Sequence, residues 1–222
     1  MQKKRLISTS ILSADFTRLG QEINTAEQSG ADWIHIDVMD GQFVPNITMG
    51  PFIVEACRRA TTLPLDVHLM IDRPERYIQD FASAGADNLT IHTEASPNLY
   101  RTLQAIKDLG CQAGVATNPG TPASDVQLAL QLADLVLVMT VNPGYSGQAF
   151  LPETMKKVEK IRRWLDEIES PANLQVDGGI NASTLPQALS AGANVFVAAS
   201  AIFKHPAGIS AGLKALKAHL HS

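Results

Sequence analysis

Hydrophobic and polar positions alternate in short blocks along the whole chain. Apolar, β-branched or leucine-rich runs recur at 6–12, 33–39, 65–70, 89–93, 112–117, 135–141, 174–177 and 195–199, and each has the length of a buried strand. The stretches between them change period. Phe16, Leu19, Ile23 and Ala26, and again Met155, Val158, Ile161, Leu165 and Ile168, advance by three or four residues and so mark one apolar stripe of a helix. Strand and helix thus alternate eight times. Pro51, Pro74, Pro97, Pro152 and Pro206 read as first-turn residues of helices, where the missing N–H does no harm. The phrases Ser29-Gly30-Ala31-Asp32, Ala84-Gly85-Ala86-Asp87 and Ala191-Gly192-Ala193-Asn194, with Gly110 alone, read as helix ends that lead into the next strand.

Eight β/α units in 222 residues fit one (β/α)₈ TIM barrel domain over residues 1–222. An open doubly wound sheet is the competing architecture. It would favour a glycine fingerprint after the first strand, where Ser13-Ala14-Asp15-Phe16 stands instead.

Composition narrows the function. With 45% hydrophobic and 18% charged residues the chain has ample material for a core, and its net charge of −4 gives no footing on a phosphate backbone, so no nucleic-acid partner is expected. No apolar stretch approaches the roughly 20 residues of a membrane span, and two cysteines make neither a disulfide framework nor a cysteine-rich zinc site. Met1 to Arg5 is basic but strand-like sequence follows at once, so a soluble, cytoplasmic protein without a signal segment is expected. The basic residues from Lys156 to Arg163 are balanced by neighbouring acids and read as a solvated helix face.

Alternation within the strands sorts the polar residues. Trp33, His35 and Asp37 share one face of their strand, Asp66, His68 and Met70 one face of theirs, and Gln175 and Asp177 one face of the seventh. The opposite, apolar faces must meet the helices, so His35, Asp37, His68 and Asp177 are expected to converge inside the barrel near its mouth. Two imidazoles and two carboxylates there suit one divalent ion per subunit, zinc first, with manganese, iron or cobalt as alternatives. A hydrogen-bonded cluster that only fills the barrel is the competing interpretation. His92, beside Thr93-Glu94, reads as a structural histidine or as a partner of that cluster. Glycine-rich turns follow the sixth and seventh strands (142–148 and 177–179), and Ala199-Ser200 ends the eighth. Together they suggest a phosphate site of backbone N–H groups. No lysine or arginine falls at these turns, Lys204 being expected to flank the barrel, so backbone dipoles rather than charge are expected to hold the anion.

The segments WIHIDVMDG (33–41), FVPN (43–46), LDVHLM (65–70), VMTVNPG (138–144) and VDGG (176–179) resemble the ribulose-phosphate 3-epimerase family, over nearly the whole chain from Ser8 to about Phe203. The resemblance implies a barrel of the ribulose-phosphate-binding type and reversible epimerisation of D-ribulose 5-phosphate to D-xylulose 5-phosphate at C3, in the pentose phosphate pathway or the Calvin cycle. It implies His35, Asp37, His68 and Asp177 as metal ligands, and Asp37 and Asp177 as the two acid/base groups acting through a metal-stabilised enediolate. Each aspartate would ligate through one oxygen and use the other on the proton. Ser10, His68 and Asp177 would contact the sugar. Gly144, Tyr145, Ser146, Gly147, Gly178, Gly179, Ala199 and Ser200 would surround the phosphate, and Met39, Met70 and Met139 would cap the reacting carbons. The segment 141–150 is expected to close over the phosphate. A homo-oligomer, dimer or hexamer, is also implied, and a plastid location if a transit peptide has been removed.

Several positions depart from the family pattern: Thr9 for proline, Tyr145-Ser146 for Phe-Gly, Ala199 for glycine, Gly120 for alanine, and Gln42 where histidine or arginine is frequent. Ser146 and Ala199 would tighten the pocket if glycine backbone angles were required there. Other functions compatible with the sequence are epimerisation of a longer ketose phosphate such as D-allulose 6-phosphate, a lysine-dependent aldolase or decarboxylase, and a non-catalytic sugar-phosphate sensor.

Overall fold

In the computed structural model, which describes residues 3–220, eight parallel strands close on themselves in sequence order from β1 to β8. They are β1 (Leu6–Ser10), β2 (Trp33–Met39), β3 (Leu65–Met70), β4 (Asn88–His92), β5 (Gln112–Thr117), β6 (Leu135–Met139), β7 (Asn173–Asp177) and β8 (Val195–Ala198). The helices are α1 (Leu19–Gln28), α2 (Pro51–Ala60), α3 (Ile78–Ser83), α4 (Leu99–Asp108), α5 (Met155–Glu167), α6 (Leu185–Ser190), α7 (Ser200–Phe203) and α8 (Ile209–Lys217). The expected barrel is therefore the observed one, and the open sheet is excluded.

Several details differ from the expected pattern. The β5–β6 connection, Ala123–Gln131, is 3₁₀ rather than α-helical, and its buried Ala123, Val126 and Ala129 fall at the spacing of three that this tighter helix presents on one side. Two helices, not one, follow β8. Pro51 does open α2, and Pro74 and Pro152 open 3₁₀ turns, but Pro97 precedes the Asn98 cap of α4 and Pro206 lies in the α7–α8 loop. Ile168, expected on the α5 stripe, is exposed just past its end, and Phe16 is exposed before α1.

Local chemistry explains the repeated Gly-Ala-Asx phrase. Gly30, Gly85, Gly110 and Gly192 end helices at φ between 84° and 104°, a conformation that favours residues without a side chain. The Asx after Gly30, Gly85 and Gly192 caps a neighbouring strand, Asp32 accepting the N–H of Ile7, Asp87 that of Leu65 and Asn194 that of Leu174, and Asp134, with no glycine before it, accepts that of Ala113, all at 2.8–3.1 Å. Each side chain so satisfies a backbone donor at the amino end of the barrel, where the ladder has not yet begun.

The strand alternation sorts side chains as expected. Ile34, Ile36, Val38, Val67, Leu69, Leu174 and Val176 point outward and join Ile23, Val54, Phe81, Leu103 and Ile161 of the helices in one continuous core. Each such side chain contributes about 1.5–3 kcal/mol on burial. Inside the barrel, Leu6, Trp33, Leu135 and Val195 form an apolar plug at the amino end. Polar side chains lie above it, and the register Asp37↔His68 and Met39↔Met70 between β2 and β3 sets those at the carboxyl end side by side. Among the described residues no helix is long and apolar enough to cross a membrane.

Candidate active site and metal centre

β2, β3 and β7 deliver the four expected side chains to one place. His35, Asp37, His68 and Asp177 each offer a ligand atom, and all four atoms lie within 4.8 Å of one another. His35 Nε2 is 3.2 Å and His68 Nδ1 3.3 Å from Asp37 Oδ1, and Asp177 Oδ2 is 3.9 Å from His68 Nδ1. Four bonds of about 2.0–2.1 Å in a tetrahedral shell put ligand atoms about 3.3 Å apart; the two spacings at Asp37 Oδ1 match this, the others are wider, and the mixed N/O donor set suits a divalent cation. The histidines are wholly buried, and Asp37 nearly so.

The nitrogens facing away from the cluster are tied down as well. His35 Nδ1 lies 2.7 Å from Asp66 Oδ2, an oxygen that also accepts from Ser8 Oγ at 2.9 Å and Gln175 Nε2 at 2.6 Å. His68 Nε2 lies 2.8 Å from His92 Nε2, and His92 Nδ1 lies 3.1 Å from Glu94 Oε2. These contacts assign the protons: Nδ1–H of His35 donates to Asp66, while Nε2–H of His68 donates to His92, whose own Nδ1–H donates to Glu94. With a cation bound, His35 Nε2 and His68 Nδ1 would be lone-pair donors toward it, the arrangement that orients a metal-ligating imidazole. Asp66 was visible in the strand pattern only as a face-mate of His68, and its contact with His35 crosses between strands, which alternation within one strand does not reveal. His92 proves to be a direct partner of His68, and Phe43 packs against its other side with ring centres 4.8 Å apart.

The electrostatics are those of a strongly coupled buried cluster. Burial by itself lowers the pKa of His35, but the carboxylates of Asp37 and Asp66 on its two nitrogens outweigh this and hold it well above the ordinary range. Burial and the charges of His92 and His35 push His68 down to about 4, against the opposing pull of Asp37. Asp37, despite burial, is held far below the usual carboxylate range by the two imidazoles. Asp177 is raised to about 7 by burial and by the negative charge of Asp37. Buried carboxylates of this kind need a compensating positive charge, either a shared proton or a cation.

Above the cluster opens a cavity of about 420 Å³. Ser10, Asp37 and Asp177 line its floor with Met39, Met70 and Met139, and Gly144, Tyr145, Ser146, Gly147, Gly178, Gly179, Ala199 and Ser200 line it too. Ser10 Oγ donates to Asp37 Oδ2 at 2.6 Å, so one oxygen of Asp37 faces the imidazoles and the other faces Ser10. Gly178 and Gly179 have φ of 122° and 66°, and a Cβ on either would stand 2.5 Å from Val141 Cγ2 or 2.6 Å from the Phe150 nitrogen. Only glycine fits this turn. The N–H groups of Gly179 and Ser200 meet no acceptor among the described residues. Ala199, by contrast, has φ −111°, and Ser146 is absent from the positive-φ residues, so neither replacement of glycine strains the backbone. Nothing in the structure explains Thr9, whose hydroxyl is buried without a partner.

The segment after β6 is tied across the mouth. Asn46 Nδ2 donates to the Gly144 carbonyl at 2.9 Å, Tyr145 Oη to the Pro45 carbonyl at 2.8 Å, and the hydroxyls of Ser13 and Ser146 are 2.8 Å apart. One expectation needs correction. The cavity lining is not free of positive side chains, because Lys204, expected to flank the barrel, lies in it.

Residues 6–203 match the model of the ribulose-phosphate 3-epimerase family. Ribulose-phosphate 3-epimerase of Bacillus subtilis is 54% identical over 89% of this chain and 91% of its own, and that of Synechocystis 51% over 93% and 90%. The chloroplastic ribulose-5-phosphate-3-epimerase of Arabidopsis thaliana is 48% identical over 96% of this chain and 77% of its own. Among solved structures, 3-keto-L-gulonate-6-phosphate decarboxylase from Vibrio cholerae superposes over 99% of this chain and 98% of its own with a TM-score of 0.73 at 13% identity, a likeness of fold alone.

Proposed function

The chain belongs to the ribulose-phosphate 3-epimerase family and is an isomerase-class enzyme, and on that premise we propose that it inverts C3 of D-ribulose 5-phosphate, giving D-xylulose 5-phosphate reversibly, with Asp37 and Asp177 as the proton-transfer groups. The observation that carries this is the meeting of those two carboxylates with two oriented imidazoles on the floor of a cavity with a glycine-built turn. His35, Asp37, His68 and Asp177 would hold one divalent cation, zinc first, with manganese, iron or cobalt as alternatives. When bound, it supplies Lewis-acid polarisation of a carbonyl oxygen and offsets negative charge that develops there.

The chain's own residues do the rest. One aspartate removes the C3 proton, the C3–H electron pair forms a C2=C3 double bond and the carbonyl π pair moves onto the C2 oxygen, giving an enediolate. The other, protonated at the outset, returns a proton to the opposite face, and the two exchange roles with reaction direction. Ser10 holds Asp37 Oδ2 and contacts the sugar with His68. Met39, Met70 and Met139 pack an apolar layer that excludes water from the reacting carbons. Gly144, Tyr145, Ser146, Gly147, Gly178, Gly179, Ala199 and Ser200 surround the phosphate, with the unpartnered N–H groups of Gly179 and Ser200 directed to it, and 141–150 closes the mouth.

We assign the work to one barrel domain spanning the chain, in the cytoplasm or a plastid, serving the pentose phosphate pathway or the Calvin cycle. We extend the same proposal to self-association as a dimer or hexamer. The deciding experiment is turnover of D-ribulose 5-phosphate in D₂O. Deuterium is expected at C3 of the product, and Asp37→Asn or Asp177→Asn should each lose at least about 100-fold in kcat while still binding the sugar phosphate. Product free of deuterium, or a variant with unimpaired turnover, removes the two-aspartate mechanism.

A further inference from the structure

We propose that Lys204 binds the phosphate group of the substrate and sets the enzyme's affinity for it. This rests on the epimerase assignment above but concerns a residue that neither the glycine turns nor the proton chemistry uses. Lys204 is the one lysine or arginine among the residues lining the substrate cavity. Its ammonium makes no hydrogen bond or ion pair with any described residue. Lys107, by contrast, pairs with Asp134, Lys217 with Asp32, and Lys157 bonds the carbonyls of Asn118 and Pro119. A free cation facing a cavity has its full charge available for an incoming anion.

Its position is also set. The Lys204 N–H donates to the Ser200 carbonyl at 3.0 Å, so the two residues stand one helical turn apart on the same side of α7. α7 is anchored in turn. Ile202 is wholly buried, and Gly212 of α8 comes so close that a Cβ there would stand 2.5 Å from the Ala201 carbonyl oxygen. The backbone that carries this side chain is therefore fixed one turn after Ser200, while the long side chain stays free to reach back toward it.

The charge pattern gives the lysine a second consequence. The other charged side chains of the cavity lining are Asp37 and Asp177, at the barrel floor. With a divalent cation on Asp37 and Asp177 the floor carries little net charge, so Lys204 is the uncompensated cation of the lining and draws the dianion toward the Ser200 end of the cavity. The ammonium acts as a point charge with three donors, which suits a phosphate that backbone N–H groups already orient.

The test is steady-state kinetics on D-ribulose 5-phosphate, coupled to detection of xylulose 5-phosphate, with inorganic phosphate as competitive inhibitor. Lys204→Ala should raise KM about tenfold, as loss of one charge-assisted contact worth about 1.5 kcal/mol implies. It should raise the phosphate Ki to a similar degree, leave kcat within about twofold, and flatten the salt dependence of kcat/KM. Lys204→Arg should recover most of the loss. Lys156→Ala, an exposed lysine on α5 away from the cavity, should behave as wild type and so exclude an effect of net charge. KM and Ki unchanged in Lys204→Ala, or a fall in kcat with KM unchanged, overturns the proposal. A wild-type chain that makes no xylulose 5-phosphate, yet binds inorganic phosphate in calorimetry more tightly than Lys204→Ala does, overturns the epimerase assignment and leaves the lysine's role standing.

Discussion

Asp66 touches neither the cavity nor the four clustered ligand atoms, yet the structure makes it answerable for the metal. Its Oδ2 takes three donors at 2.6–2.9 Å, from His35 Nδ1, Ser8 Oγ and Gln175 Nε2, and its Oδ1 is buried without a partner. Asp66→Asn keeps the shape. With the amide oxygen at the Oδ2 position all three donors keep their acceptor, and the amide nitrogen takes the unpartnered position. What is lost is the full negative charge against His35 in a wholly buried site, and with it the basicity of His35 Nε2. Partners of this kind alter metal affinity by roughly 10–100-fold, or about 1.4–2.7 kcal/mol. The assay is titration of the chelator-stripped protein with zinc in a competing metal buffer, with activity at saturating metal measured alongside. A Kd raised within that range, with kcat near wild type at saturation, is expected, and a far-ultraviolet spectrum like wild type establishes that the variant folds. A Kd within twofold of wild type would refute the proposed coupling of Asp66 through His35 to the cation. So would an unchanged Kd with a depressed saturated kcat, since Asp66 would then act on the reaction by another route.

Three other perturbations follow from separate parts of the structure. Gly178→Ala should lower the thermal midpoint and raise KM. Its φ of 122° and a Cβ 2.5 Å from Val141 Cγ2 together imply a cost of about 1–3 kcal/mol, and a midpoint equal to wild type argues against a fixed turn. Tyr145→Phe removes the bond to the Pro45 carbonyl, so limited proteolysis within 141–150 should quicken and KM rise about two- to tenfold, in line with one net hydrogen bond of about 0.5–1.5 kcal/mol. Glu94 is lowered to about 2 because hydrogen bonds from His92, Thr121 and the Asn118 N–H outweigh its burial. Its folded pKa lies below the ordinary 4.5, so its contribution to stability is complete above that pH and is lost on acidification toward 2. The midpoint gap between wild type and Glu94→Gln should narrow over the same interval, and a gap constant with pH counts against the Glu94–His92 contact.

Much of the architecture was legible because periodicity reports burial directly. Ile34, Ile36 and Val38 against His35 and Asp37 already divide β2 into a helix-facing and a barrel-facing side, and closure of eight such strands brings the polar sides together. The 3₁₀ connection at Ala123–Gln131 escaped because a spacing of three sits inside the tolerance of a helical stripe. Asp66 and Glu94 escaped for a different reason. Their partners, His35 on the next strand and Thr121 in a distant loop, are set by strand register and chain closure, which one strand's pattern does not encode. Lys204, expected to flank the barrel, lines the cavity because one helical turn after Ser200 returns it to the same side of α7, which the strand pattern does not encode. The tie between Tyr145 and Pro45 joins loops 100 residues apart and has no local signature.

The central claim is that one divalent cation, held by His35, Asp37, His68 and Asp177, is required for inversion at C3. Its most direct test is a paired titration of the chelator-stripped chain in which bound metal per chain and xylulose 5-phosphate formation are followed together. Activity is expected to be absent at zero metal, to rise in proportion to occupancy and to plateau at one ion per chain. Full turnover by protein shown to be metal-free would contradict the account.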